Sequence, residues 1–425
     1  MRSRCFEAGA CVAALLCAAA LSSPAAAQEV ESPCPGELAS DSLNARVRYV
    51  ACLAGSAAAG EVLARSIGLE VATAPFGSTS GGFTFTFDPV LRTFARSANT
   101  FGPAFSERAT TSGRGRFSGG ANMLRRTYDK FGGSSLSSLE VARLSGTTPP
   151  AETTTLGLDV VSETVAVFGH VGITNNFDVG AAVPFVRLRL SGFARAVEPG
   201  GTVLPSEGIQ AESSGISDIA VVGKYQLWKS EPTGTSSSGI AALVLLRLPT
   251  GNEENLRGLG VTRTTFGVIG SAAVGRVSPH VNVGYELWSS GIDIPSDFLT
   301  PATVTAKDQI VYSGGLEIEV HPLLTANVDV LGRFIRGGGK IERRDFQYDP
   351  ATNEFAREFG ISGATVLVAQ GGLNTLTLAP GFKWNLWQGA LLSAHTLISM
   401  TTGGLSDRIT PVVGLDWAFA LPSRP

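Results

Sequence analysis

The stretch PHVNVGYELW at residues 279–288 alternates polar and apolar side chains almost residue by residue. Successive side chains of an extended chain point to opposite faces, so one face here is apolar and the other is mostly polar. This period of two predicts a β-strand between two unlike environments. In a soluble sandwich these would be core and water, and in a membrane barrel they would be lipid and lumen.

The same alternation recurs along most of the chain. Segments of about ten residues with this pattern, separated by turns, are typical of transmembrane β-barrels. The candidate strands are 115–128, 158–173, 177–190, 216–228, 239–248, 264–276, 279–289, 308–320, 323–335, 374–386, 389–401 and 410–419.

The connections between these strands favour the barrel over the sandwich. Tight turns at 174–176, 277–278, 321–322 and 387–388 alternate with long connections such as 191–215. Outer-membrane barrels show this alternation because their periplasmic turns are short and their extracellular loops are long. We therefore predict an all-β protein, a transmembrane antiparallel up-and-down β-barrel of about twelve strands over residues 113–421, with both termini at the short-turn, periplasmic end.

Composition agrees with a barrel in lipid. Of 425 residues only 16% are charged, against about 25% in average soluble domains. The net charge of −3 lacks the basic excess that nucleic-acid binding requires, so no nucleic-acid partner is predicted. After the N-terminal segment no apolar run reaches the length of a membrane-spanning helix.

The first 27 residues have the pattern of a cleaved signal peptide. Arg2 and Arg4 precede an apolar run over 8–21, and small residues end at Ala27. Export places Cys34 and Cys52 in an oxidising compartment, where we predict that they form a disulfide. Apolar residues recur at helical spacing between Asp41 and Gly55, so residues 28–75 are predicted to be a short, partly helical periplasmic segment.

Residues 76–112 leave two alternatives open. Phe83, Phe85 and Phe87 predict a short aromatic hairpin. It could plug the lumen, or it could add two strands and give a barrel of fourteen.

Charged and polar residues on the polar strand faces are the candidate lumen lining. Both signs occur, so no strongly anion-selective or cation-selective ring is predicted. Alternatively, these charges pair with one another and fill a narrow barrel. The candidates are Asp218, Lys224, His280, Glu286, Glu317, Glu319, Asp329, Arg333, Lys383 and Asp416.

No catalytic or metal-binding motif is evident. The four histidines lie on different strands without metal-ligand spacing, so no metal and no cofactor are predicted. His395 with Ser393 or Ser399 is a candidate hydrolase pair. However, residues two apart on a strand do not easily form a nucleophile–base hydrogen bond, so the sequence does not predict an enzyme.

Several short blocks occur in an order that resembles a known family. They include GFTFTFDP at 82–89, VGIT at 171–174, SDI at 217–219 and RLPTGN at 247–252. Together they resemble the transporter-like outer-membrane proteins labelled "MetA-pathway of phenol degradation", over roughly residues 75–420. The resemblance implies a barrel of the bacterial outer-membrane superfamily and passage of small, hydrophobic or aromatic compounds.

The sequence therefore predicts a bacterial outer-membrane channel that passes small apolar or aromatic solutes passively. The alternative is a closed structural or interaction barrel that acts through its external loops. Expected partners are outer-membrane lipids and lipopolysaccharide, and the barrel assembly machinery. That machinery usually reads a C-terminal aromatic residue, whereas here Phe419 is followed by a six-residue tail.

Overall fold

The computed structural model describes the chain from Asp41 to Ala420. Within that span it leaves out residues 55–56, 79–84, 89–92, 97–98, 144–151, 198–206, 232–235, 296–302, 338–339, 350–353, 356–360, 370 and 388–389. The predicted signal peptide and Cys34 lie outside the described residues.

Twelve long strands form one closed antiparallel barrel, in which each strand pairs with its neighbours in sequence and the last pairs with the first. Fold class and strand number are as predicted. The strands are β1 (Arg116–Tyr128), β2 (Glu152–Gly172), β3 (Phe177–Val197), β4 (Ala220–Lys229), β5 (Ser236–Arg247), β6 (Arg263–Val274), β7 (Val277–Trp288), β8 (Gln309–His321), β9 (Leu324–Ile335), β10 (Leu373–Trp387), β11 (Ala390–Ser399) and β12 (Ile409–Ala420).

The barrel surface carries the apolar face of each strand. On β7, Val281 and Val283 are 55% and 54% exposed, whereas their neighbour His280 is buried. The same alternation makes Phe266 and Val268 of β6 project outward beside a buried Thr265. A closed barrel pairs all of its strands and can therefore face hydrocarbon with this apolar exterior. The architecture is that of a transmembrane β-barrel.

Short and long connections alternate around the barrel, which gives it a short-turn end and a long-loop end. The turn between β6 and β7 is formed by Gly275 and Arg276, two residues earlier than the predicted turn at 277–278. Gly275 has φ +60°, a conformation that glycine adopts without steric cost and that two-residue hairpins need.

The long-loop end carries additional short elements. Strands β2 and β3 extend beyond the rest of the wall, and Leu139–Arg143 and Glu207–Ile216 pair with these extensions. The other elements are the strands Lys130–Phe131, Ser134–Ser135 and Leu405–Ser406, the 3-10 helix Leu136–Ser138, the pair Ile292–Pro295 and Thr303–Ala306, and the loop sheet Lys340–Asp349, Glu354–Phe355 and Ile361–Ala369.

Two helices precede the barrel, α1 (Leu43–Leu53) and α2 (Ala57–Ala72). The Ser42 hydroxyl accepts a hydrogen bond from the Ala45 amide and caps α1. The helices pack closely, because a Cβ added at Gly60 of α2 would collide with the backbone of Arg48 in α1. Among the described residues, neither helix combines the length and hydropathy needed to cross a membrane.

The helices lie at the long-loop end of the barrel and not at the short-turn end, where the sequence predicts the N-terminus; that the short-turn end is periplasmic stays a prediction. The Asn44 amide donates to the Glu254 carbonyl at 2.9 Å, and Arg65 pairs with Glu253, both in the loop between β5 and β6. The described residues 73–78 and 99–112, between the helices and β1, contact the inner wall of the barrel.

The predicted aromatic hairpin is present as the strands Phe85–Asp88 and Thr93–Arg96. They form a separate two-stranded sheet and do not join the barrel wall, so the fourteen-strand alternative is wrong. Residues 99–112, which we call the plug segment, follow this hairpin and contact the inner wall before β1 begins.

Candidate functional site: the barrel lumen

The plug segment is held in the lumen mainly through its own backbone amides. Oδ2 of Asp329 on β9 accepts hydrogen bonds from the amides of Ala104 and Phe105 at 3.1 and 3.0 Å. The Glu107 amide donates to Oδ1 of Asn282 on β7 at 3.1 Å. These bonds satisfy peptide groups that would otherwise be buried without partners.

Both ends of the plug segment are fixed at the short-turn end. The Thr100 hydroxyl bonds the Ser278 hydroxyl at 2.9 Å, next to the β6–β7 turn. The Ser112 amide donates to Asp178 at 2.8 Å, and its hydroxyl lies 2.6 Å from Nε2 of His170. The segment therefore enters and leaves at the short-turn end and reaches the middle of the lumen between these points.

Ion pairs add to these contacts. Arg108 pairs with Glu317 on β8, and both are buried. His280 lies between two wall carboxylates, with Nε2 at 2.9 Å from Asp329 and Nδ1 at 3.3 Å from Glu317. Lys224 on β4 lies 3.4 Å from Glu107 of the plug segment.

The structure places the ten predicted lumen residues inside the barrel, in separate groups. Four of them contact the plug segment or its anchors: Lys224, His280, Glu317 and Asp329. Two pair with each other across β10 and β12, Lys383 and Asp416, at 3.2 Å. Three lie at the long-loop end, Asp218, Glu286 and Arg333, and Glu319 lies at the short-turn end, 4.0 Å from Arg276.

At the long-loop end Arg263 of β6 is completely buried and lies 3.2 Å from Asp218 and 3.8 Å from Glu286. Burial raises the pKa of the Asp218 carboxyl, although the charge of Arg263 acts in the opposite direction. Glu286 also accepts hydrogen bonds from Trp288 and Gln309.

Helix α2 is bound to two separate parts of the wall by one carboxylate. Glu70 pairs with Arg333 of β9 and lies 3.6 Å from Arg126 of β1. Arg333 also bonds the Thr73 hydroxyl, where the chain leaves the helix and enters the lumen. Further inside, the Ser78 amide donates to the Ala104 carbonyl at 3.0 Å and joins this stretch to the plug segment.

A cavity of about 300 Å³ remains between the helices and the plug segment. Phe76 and Phe105 line it from the N-terminal segments, and Leu243, Leu245 and Ile269 line it from β5 and β6. Polar groups lie around the apolar part, and they are Glu70, Thr73, Glu107, Arg126, Arg247, Arg263, Thr265, Asn282, Glu286, Gln309, Ser313, Arg333, Thr375, Thr377, Ser399, Thr401, Ser406 and Asp407.

Sequence reasoning missed Arg108, Arg247 and Arg263 as lumen residues. Arg247 and Arg263 occupy inward positions at the ends of β5 and β6. Arg263 lies just outside the predicted strand 264–276, and Arg247 lies at the end of the predicted strand 239–248. Arg108 lies outside the barrel strands, where strand alternation gives no signal.

The candidate hydrolase pair is not assembled among the described residues. Nε2 of His395 lies 3.1 Å from Oδ1 of Asn327, and its ring packs edge-on against Phe105. In the described structure neither Ser393 nor Ser399 forms a hydrogen bond to this imidazole, and the Ser399 hydroxyl donates to Asp407 instead. Within the described ranges no cluster of three or more His, Cys, Asp or Glu side chains is arranged to hold a metal ion.

Fold and site together define a transmembrane β-barrel whose lumen is partly filled by its own N-terminal segments. Residues 98–291 match the sequence model of the family described as "Putative MetA-pathway of phenol degradation". This match confirms the family resemblance over the part of the chain that holds the blocks at 171–174, 217–219 and 247–252. No curated protein sequence matches the chain.

Several solved structures are similar to the chain at low sequence identity. An outer-membrane channel from Pseudomonas putida F1 is 10% identical with a TM-score of 0.44, covering 73% of this chain and 98% of that one. The NanC porin is 7% identical with a TM-score of 0.36, covering 71% and 98%. The translocator domain of the autotransporter NalP from Neisseria meningitidis is 11% identical with a TM-score of 0.32, covering 72% and 89%. These similarities concern the fold alone.

Proposed function

We propose that the protein is a channel of the bacterial outer membrane that passes small, hydrophobic or aromatic compounds by diffusion. The carrying observation is the cavity of about 300 Å³ in the lumen, with apolar side chains on one part of its wall. Ligand pockets of proteins are typically about 300–1,000 Å³, so this cavity suits a small molecule. The family description, which names phenol degradation, supports aromatic cargo.

In this proposal the cavity is a compartment along a gated path. The plug segment closes the lumen toward the short-turn end, and α1 with α2 closes it toward the long-loop end. Passage then requires the displacement of each closure, while the barrel wall stays intact. The chain is exported, assembled by the barrel machinery and surrounded by outer-membrane lipid and lipopolysaccharide, with no cofactor and no catalysis.

The second candidate is a closed structural or interaction barrel. The specific observation in its favour is the number of polar bonds that fix the plug segment, including the buried pair Arg108–Glu317. Such a barrel would act through its long-loop end, where Lys340–Asp349 and Ile361–Ala369 form a hairpin.

Uptake and conductance separate the two candidates. Leu243→Trp fills the cavity, whereas Val244→Trp adds the same side chain to the lipid face, where Val244 is 44% exposed. In cells supplied with limiting radiolabelled phenol, we expect wild type and Val244→Trp to accelerate uptake and Leu243→Trp to be slower. Refolded wild-type protein should also produce openings in planar bilayers. Uptake no faster than in cells without the barrel, together with electrically silent bilayers over a range of salt concentrations, would refute the channel and favour the closed barrel.

A further inference from the structure

Two arginines stand side by side on the wall of the cavity. Arg247 of β5 and Arg263 of β6 are directly opposite in the antiparallel register, and both line the cavity. Like charges in this position destabilise a sheet unless something else compensates them. The pair is therefore a feature that needs an explanation.

The two cations differ in their partners. Arg263 has the carboxylates of Asp218 and Glu286 within 4.0 Å. No ion pair joins Arg247 to any carboxylate among the described parts of the chain, and its contact there is with an aromatic ring. The guanidinium carbon lies 4.7 Å from the ring centroid of Phe76. Arg247 thus faces the cavity with no carboxylate in direct contact among the described residues, and Asp218 and Glu286 act on its charge from a greater distance.

The surroundings of Arg247 are apolar on the side of the cavity. Leu243 and Leu245 precede it on the inward face of the same strand, and Phe76 covers one face of its guanidinium. A ligand here would meet a planar cation with hydrogen-bond donors at one end and aliphatic and aromatic side chains at the other. Arginine binds carboxylates in this planar geometry through two parallel N–H bonds.

We propose that the cavity binds a monocyclic aromatic carboxylate, with its carboxylate on Arg247 and its ring against Leu243, Leu245 and Phe76. The inference deepens the proposed function, on which it rests, by naming the class of solute. A single carboxylate can pair directly with Arg247, the one of the two arginines that has no carboxylate in contact. A dianion such as phosphate would place its second charge near Glu286 and Asp218, whose two negative charges exceed the single positive charge of Arg263.

The test compares two ligands of nearly the same shape that differ in charge. Benzoate and its neutral isostere benzamide are titrated into the full-length barrel in detergent at neutral pH, with binding followed by calorimetry. A hydrogen bond to a charged group contributes more than a neutral one, so we expect benzoate to bind roughly tenfold or more tightly than benzamide. Acetate, which has the carboxylate without the ring, should bind more weakly than benzoate.

Two variants assign the preference to the residue. Arg247→Gln should abolish the preference for benzoate over benzamide, because benzoate loses a hydrogen bond between two charged groups and benzamide loses only a weaker one. Arg247→Lys keeps the charge without the planar fork, and it should retain part of the preference. Heat-modifiable gel mobility reports whether each variant still contains the folded barrel.

The outcomes also separate this inference from the proposed function. Equal affinity of wild type for benzoate and benzamide, or a benzoate preference that survives in Arg247→Gln, would overturn the inference. If phenol uptake and bilayer conductance persist in that case, the channel function stands without the carboxylate specificity. Binding of benzoate with the expected preference, but without uptake or conductance of any solute, would support the site and refute the channel.

Discussion

Asp329 is the wall residue whose removal should most directly release the plug segment. Its side chain is fully buried, and Oδ2 accepts the amides of Ala104 and Phe105 at 3.1 and 3.0 Å, while the Ser106 amide lies at 3.4 Å. Asp329→Ala removes these acceptors and leaves buried peptide amides without partners. We expect the middle of the plug segment to detach from the wall.

The magnitude follows from the two shorter bonds. A hydrogen bond to a charged group contributes about 1.5–3 kcal/mol, so two of them favour the docked position by about 3–6 kcal/mol. At 1.4 kcal/mol per factor of ten, the ratio of docked to detached plug should fall roughly 10²- to 10⁴-fold. Arg108 and Ser112 keep their contacts with Glu317 and Asp178, so the segment stays attached at its end.

Two measurements on the refolded protein test this prediction. Planar-bilayer recordings should show more frequent or larger openings for Asp329→Ala than for wild type. In a Phe105→Cys background, a water-soluble maleimide should label the cysteine faster when Asp329 is replaced. Asp416→Ala is the matched control, because Asp416 is also buried in the lumen but bonds Lys383 of the wall and not the plug segment.

Unchanged openings and unchanged labelling in a folded Asp329→Ala barrel would show that these bonds do not hold the plug. Equal effects of Asp329→Ala and Asp416→Ala would mean that loss of any buried lumen carboxylate loosens the barrel, and the role assigned to Asp329 would be wrong.

Three further predictions concern the barrel and the N-terminal segment. Val268→Arg places a charge on the lipid face, where Val268 is 56% exposed. It should lower the free energy of unfolding in bilayers by about 2–4 kcal/mol, the cost of an arginine near the bilayer midplane. An unchanged urea midpoint would contradict the lipid-facing assignment. Gly381→Ala forces a methyl group against the His395 ring and the neighbouring backbone. It should lower the free energy of unfolding by about 1–3 kcal/mol in the same urea titration. An unchanged free energy of unfolding would show that the ring has room to move. Cys52 is disulfide-bonded, and the predicted partner Cys34 should appear in a linked peptide on mass mapping without reductant; recovery of Cys34 as a free thiol would refute the pairing.

The barrel could be predicted from the sequence because its information is local. Alternation along a strand reports directly which side chains face which environment, and it located all twelve strands. The largest boundary errors fall on β2 and β3, which extend to Glu152 and Val197. The extensions lie beyond the barrel wall, where they pair with Leu139–Arg143 and Glu207–Ile216 and pack against loops and α1. They do not separate lipid from lumen there, so their sequence does not alternate in polarity.

The position of the helices could not be predicted in the same way. Helical spacing correctly indicated α1, because Leu43, Val47 and Val50 form one buried face. What fixes the helices at the long-loop end is contact with residues far away in sequence. Glu70 reaches Arg333, and the amide of Asn44 reaches Glu254. No local pattern in residues 41–72 encodes those partners.

The plug segment itself has no sequence signature, because it binds the wall largely through peptide amides that any residue supplies. The wall nevertheless carries a usable signal. Glu317 and Asp329 face inward, and neither stands opposite a Lys or Arg of an adjacent strand. Burying such carboxylates is costly unless donors reach them, so a group inside the barrel must supply those donors.

The two ends of the lumen differ in what contacts their charged wall residues. Glu317 and Asp329 of the short-turn half receive donors from the chain, through Arg108 and the amides of the plug segment. Arg247 of the long-loop half has no carboxylate in direct contact among the described residues, and it contacts the Phe76 ring and lines the cavity. The cavity lies beside Arg247, where no carboxylate of the described chain contacts the charge directly. The proposed aromatic carboxylate rests on this coincidence of an apolar cavity and a guanidinium that has donors available for a planar anion.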